Sequence, residues 1–543
     1  MTSTAETAAT AATVSAPSLW SPLATRAFRL LWGALLVASI SQGLFQTTSG
    51  WVMTSLSSSP LLISLLQTAA MLPGLVFALP SGALADTLNR RSIMLAVEGT
   101  LAVANVGLAV LSFSDLLSGP LLLVFVLING TALALGAPAW QTALIETAPV
   151  EQRSSVVLLG GLGVSISRGV GPLFAGLVLS AAGGSTLSFA LCAVGFSIAF
   201  LLVLAWPATA STAPRLSAEG IFQAVRAGVR FARNEPAMQV ALRRVFVFVL
   251  AGTAYWSVVP LVGRRLIGFD ALGFGLWLMA FGLGSVTGAY LMSRILAVLS
   301  LNKIVALSTV AVAVGVAAIS LSPTPAVAYP VMFGVGLAWT MAISSFGVTV
   351  QTNVPSWVRS RAIAIYGMVF EGTIALAAAI WGFVAEHLGV RVELLIGAAA
   401  LLATLPVGLL WKLSKGDAAL LIPYGRFPEL TWSSALDSER TRALVMFEYT
   451  IKEADRATFI ERMNEVGIVR RRNGATEWGF YQDIDGTDRW IEEFIVDSLD
   501  EMESVRQRTT VGDFAELQAA YALHQGDTPT PTIRRLIAPA GSA

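Results

Sequence analysis

A twelve-helix all-α membrane bundle, built as two six-helix parallel repeats and followed by a small C-terminal α+β domain, is the fold this sequence predicts. Three observations predict it: twelve apolar runs long enough to cross a bilayer, a set of residues recurring at one fixed offset, and a change to charged composition past Lys415.

Composition places most of the chain in lipid. Of 543 residues, 55% are hydrophobic and only 13% charged, where soluble proteins carry roughly a quarter charged. The 35 basic and 34 acidic residues nearly cancel, so the charge balance points to neither nucleic acid nor an acidic partner. Cys192 is the only cysteine and lies in an apolar run, which excludes disulfides and cysteine-ligated metal. With His387 and His524 the only histidines, a histidine-rich metal site is excluded too. No G-x-x-x-x-G-K-S/T phosphate loop occurs, so ATP hydrolysis is unsupported and no cofactor is expected. Residues 1–20 are small and polar and lack a basic n-region, and are expected to form a disordered cytoplasmic leader.

A crossing helix needs about 20 apolar residues, because every backbone amide must be paired within it. Such runs fall at 30–52, 61–85, 92–113, 120–143, 155–180, 185–206, 245–263, 273–293, 303–322, 326–350, 362–385 and 391–411. They give an N-terminal bundle over 21–206, a connector over 207–244 and a C-terminal bundle over 245–414. Lys and Arg are retained on the cytoplasmic side. With the N-terminus inside, the inner segments carry Arg26, Arg29, Arg90, Arg91, Arg153, Arg226, Arg230, Arg359, Arg361 and Lys412 among others; the outer loops carry only Arg264, Arg265 and Arg391. Both termini are therefore expected to be cytoplasmic, with the basic connector partly helical along the membrane surface.

The duplication is visible as an offset of 206. It pairs Gly82 with Gly288, Gly130 with Gly336, Gly161 with Gly367 and Gly176 with Gly382. Glycine is common here, but Pro149, Arg153 and Ser154 also pair with Pro355, Arg359 and Ser360, a set much harder to obtain by chance. Six helices is an even number, so the halves enter the membrane from the same side and form a parallel repeat with a path between them.

Between the second and third runs lies GALADTLNRR, residues 82–91. It resembles the loop signature of the major facilitator superfamily, G-x-x-x-D-R/K-x-G-R-R/K, with Gly82, Asp86, Arg90 and Arg91 matching and Thr87 and Asn89 departing. Gly82 would permit close helix approach, and Asp86 could meet the positive end of a neighbouring helix or pair with Arg90. The resemblance implies a latch for the outward-facing state; an ordinary basic loop is the alternative. The second-half loop has Met292 where Asp86 would fall, so any latch is asymmetric. The fifth run contains SRGVGPLFAG, residues 167–176, similar to the antiporter signature of major facilitator exporters, with Ala175 replacing a glycine. Gly171, Pro172 and Gly176 would serve either that function or plain helix packing.

Arg168 sits about thirteen residues into its run and Glu371 comparably deep in the eleventh. Charges at such depth face a polar cavity or a partner. One reading makes Glu371 a proton carrier that alternates between a protonated state and an ion pair with Arg168. The other makes them a fixed structural pair or separate hydrogen-bonding groups. Glu98, two turns inside the third run, reads as interfacial or snorkelling. Gln42, Gln46, Trp51, Gln67, Tyr255 and Trp256 could line a cavity or serve as packing and belt residues.

The stretch VPSWVRSRAIAIYGMVFEGTIALAAAIWGFVAEHLG, residues 354–388, resembles the bacterial major facilitators related to enterobactin exporters. That resemblance implies a secondary active exporter in the bacterial cytoplasmic membrane. It would move a small amphiphilic or siderophore-like molecule by alternating access, with a proton or other coupling ion. An importer, a lipid flippase or a membrane-tethered enzyme are the competing readings.

Past a linker over 415–440, strands are expected at 443–451, 476–484 and 489–498 and helices at 453–470 and 499–523, within a domain spanning 441–525. This order suits a ferredoxin-like sheet and resembles antibiotic-biosynthesis-monooxygenase-like domains, which implies a homodimerising or regulatory module. His524 reads as a capping or solvated group, and Trp478, Tyr481 and Trp490 as core or interface. Residues 526–543 are expected to be disordered.

Overall fold

The computed structural model describes residues 20–149, 152–181, 184–207, 218–427, 441–526 and 528–537. The expected leader, apart from Trp20, and the second half of the 415–440 linker lie outside them. Six long helices come first: α1 (Arg26–Leu56), α2 (Pro60–Thr87), α3 (Arg90–Phe113), α4 (Gly119–Glu146), α5 (Arg153–Ser180) and α6 (Gly184–Ala205). After α7 (Ala218–Asn234) follow α8 (Pro236–Leu261), α9 (Ala271–Leu296), α10 (Leu301–Leu321), α11 (Pro325–Asn353), α12 (Arg359–Leu388), α13 (Val390–Ala403) and the short α14 (Val407–Leu410). Among the described residues, 12 helical segments are long and apolar enough to cross a membrane, α13 and α14 counting as one.

The helices outrun the apolar stretches because local caps, and not lipid contact, set their ends. Ser59 accepts from the Leu62 amide at 3.2 Å and Pro60 opens α2. Asn89 accepts from the Arg91 amide at 3.0 Å and starts α3, which explains a side-chain oxygen at that departure from the loop signature. Pro236 starts α8 nine residues before the expected span, inside the stretch assigned to the connector. Past α8 the chain takes a π-helical turn, Val262–Ile267, and leaves it at Gly268 with φ 82°.

The offset of 206 has a structural counterpart. A Cβ on Gly130 would meet Ala70 O at 2.5 Å, where α4 crosses α2; on Gly336 it would meet Phe281 O at 2.2 Å, where α11 crosses α9. Gly176 similarly seats α5 against Gly275 of α9, while Gly382 seats α12 against Ser64 of α2. Two of the glycine pairs, Gly130 with Gly336 and Gly176 with Gly382, thus mark equivalent crossings in the two halves, where a side chain would hold the helices apart.

The chain divides into two units. The first comprises residues up to 216, 246–344 and 368–406; the second comprises 217–245, 345–367 and 407–543. Within the second unit, α7 buries Phe231 and Ala232 against Val350, Val354, Val358 and Ala362. This part of the connector's apolar face is therefore covered by protein.

The rest of that unit is a domain of β1 (Ala443–Thr450), α15 (Arg456–Asn473), β2 (Glu477–Gln482), β3 (Arg489–Val496), α16 (Leu499–Arg508), α17 (Val511–Tyr521) and β4 (Thr532–Ile537). The sheet runs β2-β3-β1-β4 with every neighbour antiparallel, Ala443 lying opposite both Val496 and Ile537. The single helix expected over 499–523 is two, because Thr510 closes a capping box with Asp513 and restarts the chain as α17. The expectation of disorder over 526–543 fails for β4, which pairs along β1. All six of its residues are exposed, so it has no buried face to write an alternating pattern.

At the centre of this domain Arg470 Nε donates to Glu492 Oε1 at 2.9 Å, with Tyr449 and Trp478 donating to the same carboxylate at 2.9 and 3.2 Å. Burial alone pulls Arg470 down, but Glu492 more than offsets it and holds the guanidinium above its ordinary value. Trp490 is buried in the core, Trp478 packs against it, and Tyr481 is exposed. Toward α7, Arg472 bridges Glu235 and Asp513, Arg230 pairs with Glu501, and Arg226 meets Asp497 at 3.1 Å.

Candidate functional site

Within the first unit the helices enclose a cavity of about 720 Å³, a size suited to a drug-sized molecule. Its two sides differ in chemistry. Helices α1 to α5 contribute Gln42, Gln46, Gln67, Glu98, Asn129 and Arg168 among apolar side chains such as Phe45 and Trp140; α8 and α9 contribute mainly Trp256, Pro260, Phe274, Leu278 and Phe281. Trp256 and Phe281 meet edge to face with centroids 4.5 Å apart. The polar side holds buried atoms with no hydrogen-bond partner, Gln42 Oε1, Glu98 Oε2 and Asn129 Nδ2 among them. Such groups are costly to leave unmade and are what a bound solute would satisfy.

The sequence candidates separate cleanly. Gln42, Gln46, Arg168 and Trp256 line the cavity. Tyr255 does not: it is 1% exposed, its hydroxyl donates to Met332 Sδ at 2.9 Å, and its ring packs on Trp277. It is a core residue, because one position along a helix turns the side chain by about 100° from its neighbour Trp256.

Arg168 and Glu371 are not joined by an ion pair here. Arg168 opens into the cavity from α5, which packs on α1 and α9, whereas Glu371 stands at the seam of α12 with α2. There its Oε2 fills the space of a missing side chain, since a Cβ on Gly74 would lie 1.4 Å from it. Other contacts along the seam are Thr68 Oγ1 donating to Ala375 O at 2.8 Å and Ser59 Oγ donating to Glu386 at 2.7 Å. Among the described residues, neither Arg168 nor Glu371 enters an ion pair.

Glu98, read from the sequence as interfacial, is 1% exposed and stands in the cavity wall. The signal was available: Met94, Glu98, Leu101 and Asn105 follow at helical spacing and all four are buried, so an acid on that stripe faces inward.

The loop signature is placed differently from expectation. Gly82 has nothing within 4 Å of where its Cβ would stand, so it serves no close approach. Arg90 pairs with Glu146 of α4, and Arg91 donates to Val203 O at 3.3 Å and to Leu204 O, capping the end of α6. The side chain of Asp86 lies outside the described residues. In the fifth helix, Gly171 abuts Gly43 of α1 and Gly176 abuts Gly275 of α9, and Pro172 also faces the cavity. Both packing and cavity-lining roles thus fall on SRGVGPLFAG.

Where α1 ends and α8 passes into its π turn, Arg264 donates to Thr54 Oγ1 at 2.9 Å and to Ser55, and Arg265 donates to Ser58 O at 3.0 Å. These are two of the three arginines that break the loop charge rule, and their hydrogen bonds tie the two halves together at this end. The spacing of the sequence gave no sign of their partners.

A profile of the family described as transmembrane secretion effector matches residues 17–542. The chain belongs to the transmembrane secretion effector family. As a member of it, this is a multi-pass membrane transporter. The transmembrane secretion effector is 28% identical over 343 residues to the enterobactin exporter EntS of Salmonella choleraesuis (strain SC-B67), covering 61% of this chain and 78% of that protein. In fold it is similar to the nucleoside transporter NupG, with TM-score 0.58 and 15% identity over 71% of this chain and 99% of that one. It is similar also to a POT family transporter, with TM-score 0.57 and 12% identity over 71% and 96%. These likenesses establish a major facilitator fold for the helical part.

Proposed function

We propose that this transporter is a secondary active exporter of the cytoplasmic membrane that moves a small amphiphilic molecule by alternating access, driven by protons. The observation that carries the reading is the distribution of polar groups in the cavity: hydrogen-bonding groups and Arg168 stand among apolar side chains on the first-half wall, and the second half adds a mainly aromatic wall. An amphiphile presents the same division and would satisfy both walls at once. Direction is supported by the EntS relative, whose name states export. The distribution of Lys and Arg supports a cytoplasmic position for both termini.

For the C-terminal domain, the strand order β2-β3-β1-β4 favours a ferredoxin-like module. Its polar groups are consumed internally, the Arg470–Glu492 pair by Tyr449 and Trp478 and His524 Nδ1 by the Thr450 amide at 2.9 Å. That favours a regulatory or dimerising role over an enzymatic one. A panel of amphiphiles in proteoliposomes with an imposed pH gradient tests the whole reading. Uphill accumulation away from the face that bears the termini is expected; accumulation toward that face, or none under any gradient, would overturn it. Transport that survives deletion of residues 430–543 would rule the domain out as the reaction centre.

A further inference from the structure

We propose that Glu98 is the proton-binding group of this cavity, holding a proton when the cavity is empty and surrendering it when cargo reaches its free oxygen. The inference deepens the proton-driven reading and rests on it for the coupling, though not for the site.

The geometry is that of an acid set in a wall. Glu98 lies on the buried stripe of α3 and is 1% exposed, yet it borders the cavity. The Trp140 indole of α4 donates to its carboxylate, while Oε2 is buried with no donor. The surroundings supply no counter-ion. From α4 the only acid or base besides Trp140's neighbourhood is Glu146 at the helix end, which Arg90 holds. From α6 there is only Cys192, whose thiol donates to Ser41 O at 3.6 Å. Among the described side chains α2 presents no titratable group, and α1 carries only Arg26 and Arg29, both in its first turn. Arg168 of α5 is the one cation that lines the cavity, and no ion pair joins it to Glu98. A neutral acid is tolerated in such a place, whereas an ionised one requires a partner.

The partner is cargo. An N–H or O–H of a bound molecule directed at Oε2 stabilises the carboxylate, since hydrogen bonding to the charged form favours it. The Glu98 O–H bond then breaks, its proton passes to water in the cavity, and the cargo's donor takes its place. Proton and cargo thus compete for one oxygen, which is the requirement for exchange. Glu371 does not border this cavity, standing instead against Gly74 at the α2–α12 seam.

The test uses the full-length chain and the proton itself as probe. Infrared difference spectra recorded across a pH titration are expected to contain a protonated-carboxyl component that is lost in Glu98→Gln and kept in Glu371→Gln. Glu98→Asp should retain a shifted component, showing that the fold at this position survives substitution. A component unchanged in Glu98→Gln would overturn the assignment. In vesicles, pH-driven accumulation of whichever amphiphile the panel identifies should fall to the level of empty vesicles in Glu98→Gln, while exchange at equal pH on both sides persists. If the infrared component belongs to Glu98 but wild-type vesicles ignore the gradient, the proton-driven reading falls and the site stands. If wild type responds and Glu98→Gln responds equally, the site falls and the reading stands.

Discussion

Arg264 donates to Thr54 Oγ1 at 2.9 Å with its guanidinium 5.1 Å above the Trp51 ring, and Trp51 in turn packs on Phe274 at 5.2 Å. One arginine thus links the end of α1 to α8 and, through Trp51, to the aromatic wall of the cavity. In the proposed topology this is the extracellular end, held shut. Arg264→Ala should release it by roughly 1 kcal/mol, the range of a partly exposed charged contact, and raise the open population several-fold. Labelling of Ser55→Cys by a membrane-impermeant maleimide is expected to quicken in the Arg264→Ala background. An unchanged rate would show that the contact holds nothing closed.

The α2–α12 seam predicts a coupling between Gly74 and Glu371. Gly74→Ala inserts a methyl where Glu371 Oε2 stands, and over-packing of this kind costs about 1–3 kcal/mol. The thermal midpoint in detergent should fall, and Glu371→Ala in the same chain should recover most of the loss. Additive effects of the two substitutions would mean the residues do not meet.

Arg472 should be the critical residue between α7 and the C-terminal domain. It bridges Glu235, 8% exposed, and Asp513, 1% exposed. Burial raises the Glu235 carboxyl above its ordinary value even with Arg472 beside it. Arg472→Met leaves two shielded acids without their cation, a class of change that costs about 3–5 kcal/mol. Hydrogen exchange in α7 and α17 should accelerate together; exchange confined to one of them would contradict a shared bridge.

His524 makes the C-terminal domain sensitive to acid. Its Nδ1 accepts from the Thr450 amide, which only the unprotonated nitrogen can do, and burial pulls its value down from 6.5. The unfolded chain therefore binds a proton that the folded one refuses, so stability is complete above about pH 6.5 and declines as pH falls below it. Tryptophan fluorescence during denaturant unfolding at two pH values should show the drop, and His524→Asn should flatten it.

The bundle was legible because lipid imposes long apolar runs and duplication imposes an offset; Gly130 and Gly336 were visible as a pair before they were seen at equivalent crossings. The cavity was partly legible. Gln42, Gln46, Arg168 and Trp256 were found by polarity at depth, but Tyr255 and Glu371 answer the same description and face elsewhere. Depth alone says that a polar group needs a partner; which partner depends on helix rotation. For Glu98 the rotation was readable from the Met94–Leu101–Asn105 stripe, whereas for Glu371 it required the neighbour, Gly74. Strand β4 left no trace because an exposed edge has no buried face to alternate with.

If the two halves exchange access to one cavity, a reversible cross-link between them must block transport. Thr54→Cys and Arg264→Cys, in a chain whose native Cys192 is buried, would be joined by a short reducible linker in proteoliposomes. Transport is expected to stop when they are joined and to return on reduction. Full transport by the joined protein would show that the two halves do not move apart at this end.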